Sequence, residues 1–99
     1  MTITKTNNGD TVVVAVEGRV DTNTSPMLQK AILEAFQGAK NLTLDLEKVP
    51  YISSAGLRAL LIGQKTASSK GGMMEVIHVQ PAVKTILDTV GFSSILKLG

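Results

Sequence analysis

Three times along this chain, apolar residues spaced for a strand give way to apolar residues spaced for a helix. The clearest case runs from Asn41 to Leu61. Leu42, Leu44 and Leu46 alternate, whereas Leu57, Leu60 and Leu61 fall on one helical face. The β-branched run Thr11-Val12-Val13-Val14-Ala15-Val16 precedes Leu28, Ile32, Ala35 and Phe36 in the same way, and Met73 to Val79 precedes Val83, Ile86, Leu87 and Val90. Strands that alternate with helices require crossover connections, which are right-handed and build a sheet that is at least partly parallel. The expected fold is an α/β sandwich: a mixed β-sheet with an N-terminal hairpin and alternating helices packed against it.

The punctuation between these runs agrees. Ile3 to Thr6 reads as a short first strand, and Asn7-Asn8-Gly9-Asp10 as a hairpin turn whose Asn and Gly tolerate positive φ. The run from Thr11 to Val16 is almost wholly apolar, so it reads as a central strand buried on both faces and ended by Gly18. Ser25 as N-cap and Pro26 at the first helical position open a helix that runs through Gln37 and stops at Gly38. A second helix is expected from about Ala55 to Ser69, broken by Gly71-Gly72 before a strand from Met73 to Val79. Pro81 opens a third helix, Gly91 closes it, and Ile95 to Leu98 forms a short final strand or extended tail. Which strands lie at the sheet edges is not readable from spacing. Ninety-nine residues without repeats or linkers read as one domain, residues 1–99.

Composition excludes more than it selects. A net charge of +2, with lysines scattered and no aromatic interleaving, does not make a nucleic-acid surface. The absence of cysteine removes disulfides, thiolate catalysis and cysteine-held metals. Met1-Thr2-Ile3-Thr4-Lys5 has no signal-peptide core and no apolar stretch is long enough to span a bilayer, so a cytoplasmic protein is expected. The one histidine, His78, falls within the expected fourth strand and has no convergent metal-ligand partners, so its reading is an edge or part-buried residue with a satisfied hydrogen bond. No metal and no cofactor are expected.

Catalytic motifs are missing too. A nucleophile elbow needs serine between close glycines, but Ser54 stands between Ser53 and Ala55. Gly71-Gly72 precedes a strand, and no phosphate-cradling glycine pattern exists. Asp45 and Glu47 lack the further acidic pair that a phospho-aspartate receiver requires. An enzyme is not expected.

What remains is the junction Ser53-Ser54-Ala55-Gly56-Leu57, between the third strand and the second helix. A serine there can cap the helix, and the same position suits an added phosphate. In a parallel pair, the segments leaving the second and third strands emerge at one edge, which places Asp21 and Ser54 on one rim. Each also has a plainer reading: Asp21 as a turn former bonding backbone N–H groups, Ser54 as an N-cap. Arg58, Ile62 and Lys65 extend along the helix beyond, as a continued contact face or as ordinary helix surface.

These residues carry a resemblance. Gly18-Arg19-Val20-Asp21, Leu44-Asp45-Leu46 followed by Val49, Ser54-Ala55-Gly56-Leu57 and the closing Gly91-Phe92 resemble, in order and over almost the whole chain, the STAS-domain anti-sigma factor antagonists. The resemblance implies that Ser54, two residues before Gly56-Leu57, is the phosphoacceptor and that Asp21 lies near it. Many members carry aspartate just before that serine; this chain has Ser53. It further implies partner switching. Unphosphorylated protein binds an anti-sigma factor that is also an ATP-dependent serine kinase, and a sigma factor is released; on this chain the contact residues are expected to be Asp21, Ser53, Ser54 and Gly56, with Arg58 added for its place on the helix beyond. Phosphorylation of Ser54 ends the contact and a serine phosphatase resets it. ATP and magnesium belong to the kinase, and the antagonist is expected to be a monomer. The alternative within the same fold is a non-switching scaffold or accessory subunit of a transport or signalling assembly.

Overall fold

The structure, a computed structural model, describes all residues from 1 to 99. Strands β1 (Thr2–Asn8) and β2 (Thr11–Glu17) form an antiparallel hairpin, with Asn8 paired to Thr11 and Gly9 at φ +70° in the turn. Helix α1 (Ser25–Gly38), strand β3 (Asn41–Lys48), helix α2 (Ser54–Ser69), strand β4 (Met73–Ile77), helix α3 (Pro81–Thr89) and strand β5 (Lys97–Leu98) follow in turn. The strands lie side by side in chain order, β1-β2-β3-β4-β5, and every pair after the hairpin is parallel.

That order determines where the helices go. Each crossover from β2 onward moves one place in the same direction, and right-handed crossovers advancing one way put their helices on one face. The core lies between that face and the helices. Val14, Leu44 and Val76 are cross-strand neighbours in one row, all fully buried, and Leu28, Ile32, Phe36, Leu60, Val83 and Leu87 pack in the same cluster.

The opposite face of the sheet has no helix over it. Its rows run Thr6, Val13, Thr43, Glu75, Lys97 and Thr4, Ala15, Asp45, Ile77. The expectation that β2 is buried on both faces is therefore corrected. Val12, Val14 and Val16 are buried, while Thr11, Val13 and Ala15 are only half-buried. Small and β-branched side chains on a pleated surface shield one another, so an unbroken apolar run can still have a wet side.

Other boundaries also moved. The first strand extends over Thr2–Asn8 because all seven residues pair with β2. Ser25 is not the N-cap of α1. Thr24 holds that position, its carbonyl accepting from the N–H groups of Met27 and Leu28, and Ser25 is the buried first helical residue. Val90, expected on the apolar face of α3, follows the helix and is exposed. His78 lies beyond the end of β4, exposed and with a left-handed backbone (φ +57°), because the chain turns there toward α3.

Candidate functional site

The rim at the carboxyl ends of β2 and β3 is held by backbone. Val20 and Ile52 form an isolated parallel bridge: Val20 N–H donates to the Tyr51 carbonyl at 3.0 Å, and Ser53 N–H donates to the Val20 carbonyl at 2.8 Å. Both Val20 and Ile52 are buried. The bridge places the segment containing Asp21 directly beside the start of α2, as the parallel topology required.

At that start the two serines divide their roles. Ser53 is the N-cap, with extended backbone, and its hydroxyl accepts from Gly56 N–H at 3.4 Å. Ser54 is the first helical residue, exposed, and its hydroxyl makes no hydrogen bond within the protein. The capping role expected of Ser54 thus belongs to Ser53, which leaves the Ser54 hydroxyl uncommitted. Gly56 lies beneath them and is buried. A Cβ there would approach Ile52 Cγ1 and Val20 Cγ1 to 2.6 Å, so the glycine lets α2 seat against the bridge. Its place in the site is below the surface.

Asp21 is the turn former that its type allows. Oδ1 accepts from the N–H groups of Asn23 and Thr24, each at 3.0 Å, and lies 3.1 Å from Thr24 Oγ1. Asp21 N–H in turn donates to Thr24 Oγ1 at 2.9 Å. These bonds, those of Thr24 first, hold the Asp21 carboxyl below its ordinary range, with the Arg19 charge adding a smaller effect. Asp21 is therefore ionised at neutral pH and shapes the loop that borders Ser53.

Arg58 stands one turn beyond Ser54, exposed, and lines an open groove between α2 and α1 together with Ala55, Thr22, Ser25 and Lys30. Ile62 is half-buried and Lys65 exposed. Sequence reasoning missed three features of this rim. The Arg19 guanidinium sits 4.5 Å from the centroid of the Tyr51 ring, a cation–π contact bridging the two segments. Met27, in the first turn of α1, is 52% exposed and Tyr51 is 37% exposed, so apolar surface flanks the polar centre. Thr24 organises the Asp21 loop; its signal was the Asp-x-x-Thr spacing, a pattern for side-chain-to-backbone bonding.

His78 belongs to a separate cluster on the uncovered sheet face. Its Nδ1 lies 3.1 Å from Asp45 Oδ1 and 4.0 Å from Glu47 Oε1. No group of three or more potential metal ligands is assembled, and no helix is long and apolar enough to cross a membrane.

The result is an α/β domain with helices on one face of its sheet and an exposed Ser54 hydroxyl, free of intramolecular hydrogen bonds, at the start of α2. The STAS domain family model matches residues 2–99. The anti-sigma F factor antagonist of Paenibacillus polymyxa is 32% identical over 88% of this chain and 76% of its own length. The chain belongs to the STAS-domain family of anti-sigma factor antagonists. Among solved structures, an anti-sigma factor antagonist from Mycobacterium paratuberculosis superposes with a TM-score of 0.85 at 26% identity, over 98% of this chain and 83% of that one. The Bacillus cell fate determinant SpoIIAA, in its phosphorylated form, shares the fold with a TM-score of 0.77 at 16% identity, over 99% and 91%.

Proposed function

We propose that this protein is a phosphorylation-controlled antagonist. Unphosphorylated, it binds an anti-sigma factor that is also an ATP-dependent serine kinase, and so frees a sigma factor. Phosphorylation of Ser54 switches the contact off. The observation that carries this reading is the division between the serines: Ser53 caps α2, while Ser54 offers an exposed hydroxyl without an intramolecular partner.

In the transfer, Ser54 Oγ attacks the γ-phosphorus of ATP bound to the kinase, ADP leaves, and the hydroxyl proton passes to a base of the kinase. The product gains roughly 1.5 to 2 negative charges at neutral pH. Burying such a charge in a contact surface without a partner costs about 2 to 5 kcal/mol, or on the order of 30- to several-thousand-fold in affinity. Asp21, already ionised beside the cap, adds repulsion. The docking surface comprises Asp21, Ser53, Ser54 and Arg58 over Gly56, with Tyr51 and Met27 as apolar flanks. A serine phosphatase restores the binding form, and the antagonist acts in the cytoplasm as a monomer that performs no catalysis of its own.

The test is phosphosite mapping with the cognate kinase and ATP. Wild-type protein and Ser53→Ala are expected to be modified at Ser54, and Ser54→Ala to remain unmodified. Phosphate on Ser53 alone overturns the assignment, and full affinity of authentic Ser54 phosphoprotein for the kinase overturns the switch.

A further inference from the structure

We propose that Arg58 is the counter-ion of phosphorylated Ser54, so that modification both adds charge and withdraws a cation from the docking face. The inference rests on Ser54 as phosphoacceptor and concerns what holds the phosphate afterwards.

Three observations carry it. Arg58 is an exposed cation with no ionic partner. The ion pairs of the molecule are Lys5–Glu34, His78 with Asp45 and Glu47, and Lys84–Asp88, while Arg19 lies over Tyr51. Next, Arg58 is four residues after Ser54 within one helix, which puts their Cβ atoms roughly 5–6 Å apart on the same side. Helical side chains lean toward the N-terminus, so a long residue at that spacing covers the surface over the preceding turn, where Ser54 is. Finally, α2 contains no acidic residue. Arg58 and Lys65 are its only charged groups, so nothing on the helix competes for the guanidinium.

The order along the helix, anion first and cation four residues later, is the favourable one for such pairs. A guanidinium also matches phosphate oxygens with two parallel N–H donors. In the unmodified protein the same guanidinium is free to meet a carboxylate or carbonyl of the partner across the groove. Phosphate on Ser54 would recruit it back. The switch then has two components at one site, with no rearrangement of the backbone.

The experiment uses full-length protein with phosphoserine installed at position 54 during translation, so that it does not depend on any kinase. The second ionisation of the phosphate, ordinarily near pH 6, is followed by phosphorus NMR. The Arg58 charge is expected to hold it below that value, and Arg58→Ala to raise it by roughly 0.15 to 0.4 unit. Lys65→Ala, three turns along the same helix, should leave it unmoved. Arg58→Lys, which keeps the charge, should restore part of the depression. An unchanged titration in Arg58→Ala overturns the pairing, as does an equal rise in Lys65→Ala or a lack of any restoration by lysine. If the pairing is observed but the cognate kinase never modifies Ser54, the proposed function fails and the pairing stands. The reverse result separates them equally well.

Discussion

Ser53 and Ser54 are chemically identical neighbours with different tasks, and one residue of helix phase separates them. The N-cap side chain must fold back over the first turn to reach an orphan N–H, which occupies the Ser53 hydroxyl. The next residue is already helical and points outward. Asp21 makes the same point with charge. Its carboxylate is fastened to Thr24 and Asn23, and its pKa lies below the ordinary 3.8 for that reason. A depressed folded pKa means that the loop is favoured by ionisation above the ordinary carboxylate range, and that this contribution is lost as pH falls through the folded value. Neutral pH is far from that window. Carbon-13 titration of the Asp21 carboxyl should give a midpoint below 3.8, and Thr24→Val, which keeps the backbone N–H but deletes the hydroxyl, should move it partway back up. A midpoint unaffected by that substitution would contradict the hydrogen-bonded loop. At this scale the chain was only partly legible. The residue types at the rim were readable, but which of two adjacent serines caps, or whether Thr24 or Ser25 begins α1, depends on a phase that spacing does not resolve.

At the scale of elements, the site exists because α2 can approach the Val20–Ile52 bridge. Gly56 makes that possible, and the effect of replacing it turns on two opposed magnitudes. Alanine favours an isolated helix over glycine by about 1 kcal/mol. A Cβ at 2.6 Å from both Ile52 Cγ1 and Val20 Cγ1 is overpacked, and neither buried neighbour has room to retreat. Overpacking costs typically 1 to 3 kcal/mol, so Gly56→Ala should lower stability by up to about 2 kcal/mol in denaturant titration. It should also weaken docking by tilting the first turn of α2. A more stable Gly56→Ala protein would mean that α2 does not bear on the bridge. The elements themselves were the most readable level, since period changes in Leu42–Leu61 and its two counterparts mark each strand and helix within a few residues. Their misreadings share a cause. The run Thr11–Val16 lacks polar residues yet lies half open, and His78 leaves β4 through a left-handed turn; both follow from neighbours in space that no local pattern records.

At the scale of the molecule, strand order and the hand of the crossovers place all three helices on one face and Ser54 at the carboxyl rim of the sheet. Edge order was not legible because crossover direction is decided by packing between distant segments, although once known it follows one rule. The arrangement separates the Ser54 hydroxyl from the core. Ser54 is exposed at the first turn of α2, while the row Val14, Leu44 and Val76 is fully buried within the sheet. A negative group at the start of a helix is tolerated by the helix dipole and contributes about 0.3 to 1 kcal/mol in its favour. Phosphorylation of Ser54 should therefore leave the fold intact. For a domain of this size, 1 kcal/mol corresponds to roughly 4–8 °C in Tm, so the phosphoprotein should melt no lower than the unmodified protein and at most about 8 °C higher. Amide shifts should change along the Asp21 loop and the first two turns of α2, while those of Leu42, Leu44 and Val76 stay in place. A fall in Tm of 5 °C or more, or shifts spreading through β3 and β4, would mean that the phosphate acts by unfolding the domain. Preserved core shifts together with lost affinity for the partner would locate the switch at the surface, where one hydroxyl and one neighbouring guanidinium suffice to operate it.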